Sequence, residues 1–130
     1  MKTNHTANEI GRFLEGRVQA HGINGIIFYN DLAAHFALPE VDERWQQHPL
    51  CKVFDVLDHE DARKRRPFRT VLVVSRDKNR PGQGFFNTVL MLRKPALRLT
   101  TEMEKWVFFT DELQALATHY APRKLRQVEY

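Results

Sequence analysis

The sequence predicts an α+β domain with the outline of a winged helix-turn-helix: helices, then a β-hairpin wing, then a C-terminal helix. Three observations carry this expectation. Apolar residues recur at helical spacing in two compact stretches, about residues 6–21 and 49–65. The β-branched run Phe68 to Val74 is followed by a polar, turn-rich loop and a second β-prone run, Phe85 to Leu92. Further on, Thr101 and Glu104 form a capping-box pattern ahead of another helical repeat.

Each element has its own local reason. Thr6 followed by Glu9 resembles a capping box, Ile10, Phe13, Leu14 and Val18 share a helical face, and Gly22 suits a position just past a helix end. Ile23-Asn24-Gly25 is a turn, and Ile26 to Tyr29 either makes a brief strand or enters the next helix directly. Asn30 is a good N-cap for a short helix carrying Leu32, Ala33 and Phe36, which stops before Pro39. Val41 to Gln47 fits another helical turn with Trp45 facing inward. His48-Pro49 is a break with Pro at the first helical position, where its missing N–H costs nothing. Leu50, Val53, Phe54 and Leu57 then predict a third main helix to about Arg65, closed by Pro67, with Asp55, Asp58, Glu60 and Asp61 on its outer face. Ser75 to Gly84 is the expected hairpin loop. Met103, Trp106, Val107, Leu113, Leu116, Ala117 and Tyr120 continue a helix towards Pro122. A strand at Trp106 to Phe109, broken near Thr110-Asp111, is the competing assignment. The expected organisation is one α+β domain over residues 1–122 and a loosely ordered tail over 123–130.

With 130 residues, 42% hydrophobic and 28% charged, the chain can bury one core and has the balance of a folded protein rather than a disordered one. No apolar run approaches the roughly 20 residues that span a bilayer. The first residues lack the apolar segment of a signal peptide, and the single Cys51 excludes an internal disulfide, so a cytoplasmic protein is expected. Charge is strongly segregated. Residues 63–98 hold eleven of the twenty Lys and Arg but one acid, Asp77, a local balance of +10, whereas the first 62 residues carry ten acids against five cations. Segregated charge predicts an anionic partner for the middle of the chain.

The candidate nucleic-acid-binding residues are therefore Arg63, Lys64, Arg65 and Arg66 at the end of the third helix, Arg69 at the start of the strand, and Arg76, Lys78 and Arg80 in the loop. Such cations contact phosphates and release counterions without reading sequence. A solvated, solubilising face is the plainer alternative. The acidic outer face of the third helix argues against major-groove base reading. It could instead meet the basic loop of a second copy, so a homo-oligomeric or protein-interaction module, an effector or inhibitor, is the runner-up.

No metal set or cofactor motif is expected. His48 and Cys51 lack further ligands, and Gly82-Gln83-Gly84 is explained by a turn needing φ > 0 between two strands. Cys51 reads as a packing residue and Ser75 as a turn residue, so no enzyme is expected. Phe85, Phe86, Trp106, Phe108 and Phe109 are assigned mostly to the core, with base stacking as the alternative.

The stretch Tyr29-Asn30-Asp31-Leu32-Ala33, followed by a longer helix, Val73-Val74 and the glycines Gly82 and Gly84, resembles the DNA-binding part of the alkylguanine-DNA alkyltransferase-like proteins. The resemblance implies a winged helix on DNA over less than half of the chain. It departs at the chemistry: Arg66-Pro67-Phe68-Arg69 stands where that family's nucleophilic Cys motif lies, which argues against alkyl transfer. Over most of its length the chain also resembles small uncharacterised bacterial proteins of mobile elements, including integron gene cassettes, through Trp45, His48-Pro49-Leu50, Arg66-Pro67 and Pro81-Gly82-Gln83-Gly84-Phe85-Phe86. That second resemblance implies no activity.

Overall fold

The computed structural model describes residues 2–93 and 97–122, with side chains from Thr6 onward. The elements run α1 (Lys2–His21), β1 (Ile27–Phe28), α2 (Tyr29–His35), α3 (Pro49–Arg63), β2 (Val73–Val74), α4 (Gln83–Leu92) and α5 (Glu102–His119). Short 3₁₀ turns occupy Gly22–Gly25, Trp45–Gln47 and Arg69–Leu72. The protein is α+β and rich in helix, with one two-stranded sheet among the described residues. Among the described residues no helix is long and apolar enough to cross a membrane.

The hairpin wing is absent and its return strand is a helix. Residues 85–92 lie in α4, which buries Phe85, Phe86 and Val89. A short apolar run supports helix or strand equally by periodicity, and the tertiary partner decides. The only sheet partner β2 has among the described residues is β1, in parallel, Ile27 opposite Val73 and Phe28 opposite Val74. Only two residues of the predicted strand remain extended, because Arg69–Leu72 turns as a 3₁₀ segment.

Helix ends follow local chemistry. Gly22 ends α1 at φ +61. His48 caps α3: its Nδ1 accepts from the Leu50 N–H at 3.0 Å, so the ring proton sits on Nε2 and donates to the Pro39 carbonyl at 2.6 Å. The α3 C-terminus closes through Arg65 at φ 55, with the Arg66 N–H returned to the Asp61 carbonyl, one residue before Pro67. In α5 the capping box forms as expected, the Thr101 Oγ1 accepting from the Glu104 N–H and the Glu104 carboxylate from the Thr101 N–H. A single helix spans Trp106 to Phe109, which removes the strand alternative. Thr6 does not cap: α1 starts a turn earlier. The predicted tail at 123–130 lies outside the described residues.

The core joins Ile10, Leu14 and Val18 of α1 to Leu50, Val53 and Leu57 of α3, Val71 to Val74, Phe86 of α4 and Leu116 of α5. The Arg69–Leu72 turn is wedged between α1, α3 and α5, and all four of its residues are buried. Its three neighbouring helices supply carboxyls to it. The Phe68 N–H donates to Glu112 of α5 at 2.8 Å and the Arg69 N–H to Asp61 of α3 at 2.9 Å. The Arg69 guanidinium reaches Asp61, Glu60 at 2.8 Å and Glu15 of α1 at 2.8 Å.

That guanidinium passes directly beside α1 at Gly11. A Cβ there would lie 2.5 Å from Arg69 Nη1 and 3.2 Å from Leu57, whereas a Cβ at the exposed Gly16 meets nothing. Gly11→Ala is therefore expected to lower the unfolding free energy by about 1–3 kcal/mol, because three acids hold the arginine in place. Gly16→Ala should raise it by about 0.5–1 kcal/mol through helix propensity alone. Urea denaturation of the two variants checks the contrast.

Candidate functional site

Cations expected to form one exposed patch are mostly paired inside the chain. Arg69 is 4% exposed and Arg80 4% exposed, so neither presents charge to a partner. Arg66 bonds Asp61 through its Nε and approaches Glu60 at 3.5 Å. Lys64 pairs with Glu60 at 3.4 Å, one helical turn back. In the loop, Arg80 reaches Glu102 of α5 at 2.8 Å and lies over Trp106, Lys78 approaches the same Glu102 at 3.8 Å, and Arg76 pairs loosely with Asp31 of α2 while its guanidinium sits 4.2 Å from the Phe28 ring centroid. Only Arg63 and Arg65 of the eight candidates make no ion pair among the described residues; both are exposed. Within the chain the loop cations pair with Asp31 and Glu102, and the acids of α3 pair with Lys64, Arg66 and Arg69.

The predicted acidic outer face of α3 is also not what forms. Asp58 is 4% and Asp61 0% exposed. They sit four and seven residues beyond Phe54, so they continue the buried stripe of the helix. The two buried carboxyls have opposite surroundings. Asp61 accepts from the Arg69 N–H and guanidinium and from Arg66. Asp58 has one hydrogen bond, from the Thr70 Oγ1 at 2.6 Å, and no guanidinium or ammonium in contact. Burial, strengthened by the nearby charges of Asp61 and Asp55 and only partly offset by Thr70 and Arg69, pushes the Asp58 carboxyl up to about 8. This shift favours the uncharged form at neutral pH. Arg69 goes the other way: burial opposes its charge, but the Asp61 carboxylate and the bonds to Asp61 and Glu60 outweigh that and hold the guanidinium above its ordinary value.

Asp58 borders a cavity of about 680 Å³. Its walls come from α2 (Tyr29), the segment before α3 (Val41, Trp45), α3 (Cys51, Phe54, Val56, Asp58), the Thr70 turn, the loop at Ser75 and Gly82, and α4 (Phe85, Thr88). Lys52, Asp55, Gln83 and Gly84, all exposed, edge it, so it communicates with solvent. Tyr29, Trp45 and Phe54 form a continuous aromatic wall, with ring centroids 5.5 to 6.0 Å apart. The Tyr29 hydroxyl oxygen accepts the Gly82 N–H at 3.1 Å, and burial, with the neighbouring Asp58, pushes that hydroxyl up to about 12. Burial raises the Cys51 thiol as well, so it has little thiolate character.

Gly82 and Gly84 open α4 rather than linking two strands, and neither has positive φ. Gly82 instead brings its backbone N–H to Tyr29. Among the described residues no group of three or more His, Cys, Asp or Glu side chains could hold a metal ion. Compared with known proteins, the chain matches no family model, no curated protein and no solved structure.

A carboxyl whose folded value lies above its unfolded one stabilises the fold at low pH and loses that contribution as pH rises towards the folded value. For Asp58 the window runs from about 4 to about 8. The unfolding free energy of the parent protein should decline across pH 5 to 7.5 relative to Asp58→Asn, by up to about 1.4 kcal/mol per pH unit. Parallel denaturation curves at four pH values measure the difference.

Proposed function

We propose that this domain is a non-catalytic binding module for a small, mostly apolar ring compound taken into the cavity between α2, α3 and α4. One observation carries the proposal: an aromatic-walled cavity of about 680 Å³ lined by a buried acid, Asp58, one of whose oxygens has no hydrogen-bond partner among the described residues. Its volume falls in the range of small-molecule sites, and its few polar groups among apolar walls match their composition. Binding rather than turnover is favoured because Cys51 and Ser75, on the wall, have no imidazole hydrogen-bonded to them among the described residues. Tetralin, a neutral ten-carbon bicycle, is a suitable first probe. It should shift the backbone resonances of Thr70, Gly82 and Phe85 with a dissociation constant on the order of 0.1–1 mM. Thr88→Phe, which fills the cavity from α4, should abolish the shifts without lowering Tm. Unchanged spectra at saturating probe would contradict the proposal.

Phosphate contact is a second reading supported by one feature, the exposed and unpaired Arg63 and Arg65 flanking Lys64 at the end of α3. Three cations there predict a salt slope of log K against log salt near −3 on duplex DNA, whereas all eight candidates acting together would give about −7. Fluorescence anisotropy across a salt series distinguishes the two values, and a slope near −7 would restore the loop as a nucleic-acid contact.

A further inference from the structure

Resting on the cavity proposal, we infer that the ligand carries a carbonyl-type oxygen, received by two converging hydrogen-bond donors, the Asp58 carboxyl and the Tyr29 hydroxyl. Both donors are defined by what their other atoms already do. The Asp58 side chain has one oxygen occupied by the Thr70 hydroxyl at 2.6 Å. Its other oxygen has no hydrogen-bond partner among the described residues, yet it is not among the fully enclosed orphan atoms, which are Arg80 Nε and Tyr120 Oη. It therefore meets the cavity that the residue lines. The Tyr29 oxygen accepts from the Gly82 N–H, which leaves its own proton without an acceptor among the described residues. A carbonyl oxygen takes two donors and offers none, so it satisfies both groups at once.

The alternative ligand for a buried carboxyl is a cationic amine. Two features favour the neutral acceptor. Lys52 stands at the cavity edge with like charge. Asp58 faces Asp55 and Asp61 on its own helix, Tyr29 on α2, and Thr70 and Arg69 on the adjoining turn; Arg69 is bound to Asp61, Glu60 and Glu15. With no cation of its own, the Asp58 carboxyl keeps its proton at neutral pH and has one to donate.

Calorimetric titration with 1-tetralone, tetralin and 1-aminotetralin tests the assignment. At pH 6.5 tetralone should bind at least tenfold more tightly than tetralin, and its affinity should fall as pH rises through about 8. Asp58→Asn retains a donor at every pH, so it should keep tetralone affinity within about threefold and remove the pH dependence. Tyr29→Phe should weaken tetralone about tenfold and leave tetralin unchanged. Melting curves accompany each variant to establish that it folds. Equal affinity for tetralone and tetralin would overturn the carbonyl assignment while leaving the cavity proposal intact. Tighter binding of aminotetralin would overturn it in favour of an ionised Asp58. Binding of none of the three would overturn the cavity proposal itself.

Discussion

Two carboxyls are buried on one helix, and the buried guanidinium of Arg69 bonds one of them, Asp61, and not the other, Asp58. Arg69 lies in a 3₁₀ turn that α1, α3 and α5 enclose, and its Nε, Nη1 and Nη2 donate to Asp61, Glu15 and Glu60 respectively. A buried charge is tolerated when its partners are close and hydrogen-bonded to it, as these three carboxylates are to Arg69. Much else follows from that placement. Gly11 must lack a side chain, the turn must stop extending before β2, and α3 must present acids on its buried stripe. Asp58, less than one turn before Asp61, receives only the Thr70 hydroxyl and faces the cavity.

The same network pairs cations of one segment with acids of others. Cations concentrated in one segment and acids in another are what pairing between distant segments requires. Arg69 meets Glu15 across 54 positions, and Arg76 meets Asp31 across 45. Burial alone does not make these pairs net stabilising, since desolvation offsets much of the attraction. They do define which segments lie together. In the loop before α4, Arg80 performs a similar task, joining Ser75–Pro81 to the start of α5 through Glu102 and the Trp106 ring.

Much of the helical framework was legible because its signals are local. The spacing of Leu50, Val53, Phe54 and Leu57, the Pro49 start and the Thr101–Glu104 box each depend on residues within a few positions. The return strand at 85–92 was not, because its apolar run is compatible with either period and burial of Phe85, Phe86 and Val89 on one helical face is decided by tertiary packing. Asp58 and Asp61 were visible in register with Phe54, but acids on an apolar stripe read as an outer face unless a distant cation is known. Arg69 could not be assigned that role from sequence, since it looks like one more member of a basic run. The cavity had no sequence signal: it is bounded by separate stretches that only the fold assembles, Tyr29 read as the start of a strand or helix, and Trp45 read as an inward-facing residue.

The account's central claim is that Arg69 neutralises Asp61 and leaves Asp58 protonated at neutral pH. Carboxyl ¹³C NMR of aspartate-labelled protein, titrated from pH 3 to 10, addresses it directly. The Asp58 resonance should move with a midpoint near 8. A midpoint near 4, alongside the ordinary surface carboxyls, would contradict the account.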